Sequence, residues 1–231
     1  DRKAEETEAQ MSRAITGCAL SVEEVARMDH LVFAVPDLAG GIDLLERKTG
    51  VRARFGGRHP GRGTHNALLS LGARQYLELI AIDPEQSDLQ GLTFPELKEL
   101  SEPRLIAWAV AVASLADTGR RANAAQIGSI GPLEGARAQA DGTMLTWKTL
   151  RLAGAALDGL PFFIEWGDRS AHPSQTSPAG CTLASFAIEH TNVEDLRRTL
   201  DSLAVAAAVR PGPRVRLRAR LDTPKGEVEL S

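Results

Sequence analysis

The strongest constraint on the fold is an internal repeat. When the sequence is shifted by 77 residues, His30–Ala39 lies over Ala107–Ala116, and each copy reads as a strand, a capping residue and a helix. Shifts of 79 and 87 residues align further strands, the last placing Glu78 over Glu165, and loop insertions explain the growing offset. Each copy therefore has the element order β-α-β-β-β, and the sequence predicts an α+β protein with two equivalent modules.

A shorter third copy follows, because Ser185–Ile188 is similar to Val32–Val35 and a helix pattern comes after it. Met11 and Met28 are both candidate native starts. The predicted organisation is a partly disordered N-terminal extension at 1–27, module one at 28–84, a linker with a short helix at 85–104, module two at 105–168, a loop at 169–180 and a short βαββ(β) module at 181–231.

Composition excludes several classes of protein. With 231 residues, 43% hydrophobic and 25% charged, the chain is an ordinary globular one, and its net charge of −3 gives no reason to expect a nucleic-acid partner. The longest apolar run, 105–113, falls far short of the roughly 20 residues that span a bilayer, so we expect no membrane partner and a cytoplasmic location. Cys18 and Cys181 do not form a disulfide framework.

Two acids stand inside apolar strand segments. Glu78 lies in Leu-Glu-Leu-Ile and Glu165 lies between Ile and Trp, and a buried carboxylate without a partner is costly. If His30 faces inward on the first strand, alternation turns Val32 and Ala34 inward too. If Glu78 faces inward, so do Tyr76 and Ile80, which leaves the leucines at 77 and 79 for the core. The acids could serve as ligands or acid–base groups, or they could instead pair with Arg58 or Arg62.

A glycine-rich stretch, 56–63, separates the second and third predicted strands. Glycines let backbone approach a small molecule closely, but the stretch lacks the phosphate-loop pattern.

Further polar residues are assigned to turns and to the cavity. His172 is predicted to lie in a surface turn, with a role as a lid residue as the alternative. Asn66 is preferred to His65 as a cavity residue by alternation. The predicted substrate contacts are His59, His65, Asn66, Tyr76 and Arg58.

The sequence of module one resembles that of a known family. The segments Met28–Leu38, Gly56–Leu68 and Tyr76–Ile80 are similar to the glyoxalase-like domain branch of the vicinal oxygen chelate (VOC) superfamily. The resemblance implies a half-open barrel of two modules around a divalent metal, which could be Zn, Fe, Mn, Ni or Co.

The resemblance also implies the metal ligands. Carried over position by position, they are His30, Glu78 and Glu165. Ala107 stands where a fourth ligand would come from, and three protein ligands with water still make an open site.

Two functions remain open at this point. The first is a glyoxalase-like metalloprotein that binds a small oxygenated metabolite by bidentate oxygen chelation. Glu78 and Glu165 would be the catalytic acids of an isomerase or lyase that transfers protons. The second is a metal-free binding or sequestering protein of the resistance type with the same fold. In either case the small third module has an edge strand that could pair in a homodimer.

Overall fold

The computed structural model describes residues 26–138, 142–153, 159–167 and 171–231. The predicted disorder of the N-terminal extension therefore falls almost entirely outside the described residues. The strands are β1 Arg27–Ala34, β2 Arg54–His59, β3 Thr64–Ser70, β4 Tyr76–Ile82, β5 Arg104–Ala111, β6 Gly128–Ala138, β7 Met144–Ala153, β8 Phe162–Trp166, β9 Thr182–His190, β10 Ala208–Pro211, β11 Arg216–Thr223 and β12 Gly226–Leu230. The helices are α1 Leu38–Thr49, α2 Leu115–Ala124, α3 Pro173–Thr176 and α4 Val193–Ser202, with a 3₁₀ turn at Pro95–Glu99.

The repeat appears as two halves of one curled sheet. Its strand order is β2-β3-β4-β1-β5-β8-β7-β6, so each module contributes four strands in the same arrangement. Within each module the first strand pairs in parallel with the last, and β1 pairs antiparallel with β5 across the middle. The predicted α+β half-barrel is thus confirmed.

The capping residues of the two modules hold their helices in equivalent places. The Asp37 side chain accepts a hydrogen bond from Gly40 N, and the Ser114 side chain accepts one from Asp117 N. The two caps are 77 residues apart, which confirms the first shift of the repeat. The helices cover the convex face of the sheet, where Leu31 lies fully buried in the main core. Burying one such side chain stabilises the fold by about 1.5–3 kcal/mol.

The C-terminal segment has the predicted element order but a different strand order. Its four strands form a second sheet, β10-β9-β11-β12, in which the strand after the helix lies directly beside the first strand. In module one, by contrast, β3 and β4 separate the strand after the helix, β2, from the first strand. Two arginines of β11 make cross-strand ion pairs, since Arg218 contacts Glu189 and Glu229 and Arg220 contacts Glu227.

The two outer strands of the large sheet, β2 and β6, approach each other without pairing within the described chain. Side chains bridge the gap. Arg137 of β6 donates a hydrogen bond to Gly56 O of β2, and Arg62, in the turn after β2, donates one of 3.2 Å to Glu134 O of β6. We call these two contacts the seam. Of the helices in the described part of the chain, none is both long and apolar enough to cross a membrane.

Candidate active site

The concave face of the large sheet encloses a cavity of about 240 Å³. Tyr76, Glu78 and Ile80 of β4 line or floor it, while Leu77 and Leu79 pack into the main core on the other face. These faces agree with the predicted alternation. Because β1 runs parallel beside β4, with its residue 30 opposite Tyr76, the same cavity also receives the side chain of His30.

His30 and Glu78 form a close pair in the cavity wall. His30 Nε2 lies 3.6 Å from Glu78 Oε2, and Asn66 Nδ2 donates a 2.7 Å hydrogen bond to Glu78 Oε1. The His30 ring stacks on Tyr76 with 4.4 Å between the ring centroids. Glu78 is only 9% exposed, so its carboxylate has few partners other than these. A weakly solvated carboxylate beside an imidazole is a suitable pair for proton transfer.

A buried carboxylate, Asp29, orients His30 through the ring nitrogen that does not face Glu78. Its Oδ1 lies 2.7 Å from His30 Nδ1, and its Oδ2 lies 2.9 Å from His172 Nε2 and accepts a 2.9 Å hydrogen bond from Trp166 Nε1. Burial alone would raise the pKa of Asp29, but the hydrogen bonds from His172 and His30 hold it well below its usual range. Because Asp29 is ionised and only accepts, His30 Nδ1 carries the proton and its Nε2 faces Glu78.

His172 is a buried part of this network. Its Nδ1 accepts a hydrogen bond from Ser174 N at the start of α3, so its Nε2 carries the proton that Asp29 accepts. The prediction of a surface turn at His172 is therefore wrong. Asp29 was not predicted either, because nothing local in the sequence connects it with His172, and only the fold brings the two together across 143 positions of chain.

Asn66 connects Glu78 to His59. Its Nδ2 lies 3.2 Å from His59 Nε2, and His59 Nδ1 lies 2.8 Å from Thr64 Oγ1. Burial lowers the pKa of His59, and the nearby arginines lower it further although Glu78 opposes them, so the ring is neutral at neutral pH. A Cβ on Gly56 would lie 2.4 Å from Asn66 Oδ1. Glycine is therefore required here to make room for this amide.

Two predicted substrate contacts lie elsewhere. Arg58 forms ion pairs with Asp83, at 2.8 Å, and with Glu85, at 2.6 Å. His65 lies on the other face of β3, with its Nδ1 3.9 Å from Asp83. Of the five residues predicted to contact substrate, the structure brings His59, Asn66 and Tyr76 to the cavity, together with the predicted metal ligands His30 and Glu78.

Glu165 lies outside the cavity, contrary to its predicted place there. The cavity-facing residues of β8 are Phe162, Ile164 and Trp166, so Glu165 points to the opposite face and accepts a 2.8 Å hydrogen bond from Leu115 N at the start of α2. The shift of 87 residues is the source of the error. Glu78 pairs with Val32, and the equivalent residue of β5, 77 positions on, pairs with Phe162. The true shift is 84, and a slip of three residues reverses the face of a strand.

The described residues do not fit a divalent metal with three protein ligands. Phe162 stands at the position equivalent to Glu78, and Ala107 stands at the position equivalent to His30, so module two supplies no donor at either place. Within the described ranges, no group of three His, Cys, Asp or Glu side chains is arranged to hold a metal ion. His30 and Glu78 alone would leave such a site short of the usual ligand number.

Phe162→Glu tests this equivalence. The substitution would put a carboxylate beside the His30 ring, which now lies 5.4 Å from the Phe162 ring, and would complete a set of two carboxylates and an imidazole. We expect the variant to bind Zn²⁺ at least about tenfold more tightly than the wild type by isothermal titration calorimetry. Glu165→Gln is the control and should leave zinc affinity unchanged. Equal affinity of the variant and the wild type would refute the equivalence.

Three arginines line the cavity, and none of them is among the predicted substrate contacts. We call Arg62, Arg137 and Arg151 the cavity arginines. Arg151 lies on the same face of β7 as Trp147, and this alternation is the only sequence signal that could have indicated it.

Comparisons with known proteins agree with this architecture. A family model described as a glyoxalase-like domain matches residues 28–204. A hypothetical protein from Staphylococcus aureus shares 14% identity over 89% of this chain and 84% of its own, with a TM-score of 0.59. Methylmalonyl-CoA epimerases from Mycobacterium tuberculosis and Streptomyces coelicolor each share 16% identity over 64% of this chain and 92% and 99% of theirs, with TM-scores of 0.43 and 0.47. At these identities the likeness concerns the fold alone. The curated proteins contain no match to this chain.

Proposed function

The chain belongs to the glyoxalase-like domain family of the VOC superfamily, and on that basis we propose that its cavity binds a small oxygenated metabolite and transfers a proton at a carbon next to a carbonyl. The observation that carries this proposal is the pair formed by His30 Nε2 and Glu78 Oε2, 3.6 Å apart and facing the cavity. Imidazoles and carboxylates are the side chains that enzymes use most often to move a proton.

Glu78 is the base in this proposal. Its Oε1 is held by Asn66, which leaves Oε2 directed towards His30 and the cavity. When Oε2 takes a proton from the carbon, the electron pair of the C–H bond moves to the carbonyl oxygen and an enolate forms. Returning the proton to the opposite face of the same carbon inverts that carbon. Where the carbon carries a hydroxyl, returning the proton to the former carbonyl carbon, as the hydroxyl proton moves to the enolate oxygen, completes an isomerisation with no net change in oxidation state.

His30 holds the proton between the two steps. Its Nε2 can receive a proton from Glu78, and the resulting imidazolium would lie between the carboxylates of Asp29, at 2.7 Å, and Glu78, at 3.6 Å. The stack against Tyr76 fixes the plane of the ring. The proton thus stays within the site while the enolate is present.

A second function is favoured by a specific observation. Phe162 and Ala107 make the module-two side of the cavity floor apolar, as a protein that only binds or sequesters a small molecule would require. In that case the cavity would hold its ligand without chemistry. The two functions differ in one measurable respect, which is the exchange of carbon-bound hydrogen of a bound ligand with solvent.

Deuterium incorporation is the test. Pyruvate, dihydroxyacetone phosphate and their uncharged counterparts methyl pyruvate and dihydroxyacetone all carry hydrogens next to a carbonyl, and ¹H NMR in D₂O follows their loss. We expect the protein to accelerate exchange of at least one probe that it binds, and the rate to persist after treatment with a chelator. Binding with exchange only at the buffer rate would contradict proton transfer and favour sequestration. A rate lost to chelator and restored by a divalent ion would contradict the metal-independent mechanism.

A further inference from the structure

We infer that the substrate carries an oxyanion, either a carboxylate or a phosphate group, which the cavity arginines bind. The inference deepens the proposed function, because it concerns the end of the substrate that is not reacting. It starts from the partners of Arg62, Arg137 and Arg151, which line the cavity and donate to neutral groups, whereas most hydrogen-bonded arginines of the described residues form ion pairs.

The cavity arginines donate to neutral groups. Arg151 donates a 2.7 Å hydrogen bond to Thr93 O and lies 4.9 Å from the Phe94 ring centroid. Arg62 contacts Thr93 Oγ1 and Glu134 O, and Arg137 contacts a backbone carbonyl of β2. Within the described residues none of the three forms an ion pair. Seven other arginines do so, namely Arg52, Arg58, Arg120, Arg197, Arg198, Arg218 and Arg220.

Partial burial makes these unpaired charges unfavourable. Burial lowers the pKa of Arg137 and of Arg151, which is the direction expected when a cation loses water without gaining a bound anion. A guanidinium stays protonated even so, and therefore the site keeps its positive charge. An anion placed among the three side chains would offset this cost, and a guanidinium fork matches the oxygens of a carboxylate or phosphate.

The carboxylates of the cavity do not fill this role. Glu78 is held by Asn66 and faces His30, and the exposed Glu134 side chain lies 4.0 Å from Lys148 on the neighbouring strand. Among the described residues these two acids form no ion pair with the three guanidinium groups, and Glu96, whose charge raises the pKa of Arg151, forms none either. Within the described part of the chain, a bound anion would supply the ion pair that these three side chains lack.

The positions of the charges also limit the substrate. Arg137 lines the same cavity as Tyr76 and Glu78, and both of these oppose the lowering of the pKa of Arg137 by burial, so its guanidinium lies within electrostatic range of the proposed base. In a cavity of about 240 Å³ the oxyanion and the reacting carbon would then be only a few bonds apart. A short oxo acid or a phosphorylated ketone has this arrangement.

Matched pairs of probes test the inference. Calorimetric titration would compare pyruvate with methyl pyruvate, and dihydroxyacetone phosphate with dihydroxyacetone, so that the pair showing the effect identifies the carboxylate or the phosphate. We expect at least one charged member to bind about tenfold or more tightly than its neutral counterpart. Arg151→Gln should abolish this preference and Arg151→Lys should retain part of it. Arg62→Gln provides a second variant in case Arg151→Gln does not fold.

Arg58→Gln is the matched control, because this arginine pairs with Asp83 and Glu85 outside the cavity, and its loss should leave the preference unchanged. Equal binding of charged and neutral probes, or no binding of either charged probe at millimolar concentration, would overturn the inference. So would a preference that survives in every cavity variant. If a neutral probe exchanges but charged probes bind no better, proton transfer is supported and the oxyanion inference is refuted. If binding depends on the arginines but no probe exchanges, the oxyanion inference is supported and proton transfer is refuted.

Discussion

Glu78→Gln is expected to slow deuterium incorporation into the exchanging probe by about 10²–10⁴-fold, which is the usual contribution of a positioned acid–base group. Glutamine keeps the shape of the side chain and an oxygen that can accept the hydrogen bond from Asn66, but it cannot take up a proton. Binding of the probe should persist, so the loss should fall on the exchange rate. ¹H NMR in D₂O at saturating probe measures that rate directly.

Glu165→Gln is the matched control for this experiment. Glu165 belongs to the same sheet, but its carboxylate accepts a hydrogen bond from Leu115 N on the opposite face, and a glutamine oxygen can do the same. Its exchange rate should equal that of the wild type. A Glu78→Gln protein that still exchanges at the wild-type rate would show that another group is the base.

Asp29→Asn is expected to lower the free energy of unfolding by about 3–5 kcal/mol at neutral pH, as is usual when one member of a buried ionic network is removed. Asp29 is 1% exposed and accepts from His30, His172 and Trp166 at once. An asparagine offers one oxygen where the carboxylate offers two. Urea denaturation of both proteins measures the difference.

The pH dependence of that difference follows from the lowered pKa of Asp29. A carboxyl whose pKa is lower in the folded than in the unfolded state stabilises the fold fully above the unfolded value, about 3.9, and loses this contribution as the pH falls towards the folded value. The gap between wild type and Asp29→Asn should therefore narrow below about pH 4. Asp43→Asn, in an exposed pair with Arg52, should change stability by no more than about 0.5 kcal/mol. An Asp29→Asn effect as small as this would contradict the network.

Much of the fold could be predicted from the sequence because it follows from patterns among residues that are close together in the chain. The caps Asp37 and Ser114 and the alternation along β1 and β4 depend on neighbours within a few residues, and they placed His30, Tyr76 and Glu78 on one concave wall. The choice of Asn66 over His65 came from the same rule.

The remaining site residues depend on contacts between distant segments. Glu165 was misplaced because a short strand such as Phe-Ile-Glu-Trp aligns with another at several offsets, and only the hydrogen-bonded register of β5 with β8 distinguishes a slip of three. Asp29 and His172 meet only in the folded chain. The strand order of the C-terminal sheet could not be predicted either. The same element order allows the strand after the helix to lie beside the first strand or to be separated from it by other strands.

At the seam, the wall of the cavity is held by fewer hydrogen bonds than between paired strands of the large sheet. Most neighbouring strands of the large sheet are joined by ladders of backbone hydrogen bonds, whereas Arg62 and Arg137 join its two margins with a few side-chain bonds, each worth about 1.5–3 kcal/mol. Separation of β2 from β6 would admit a molecule without breaking the backbone hydrogen bonds between paired strands. An anionic guest would compete with Gly56 O and Glu134 O for the same guanidinium groups, so its arrival would itself loosen the closure. Entry and recognition would then depend on the same two side chains.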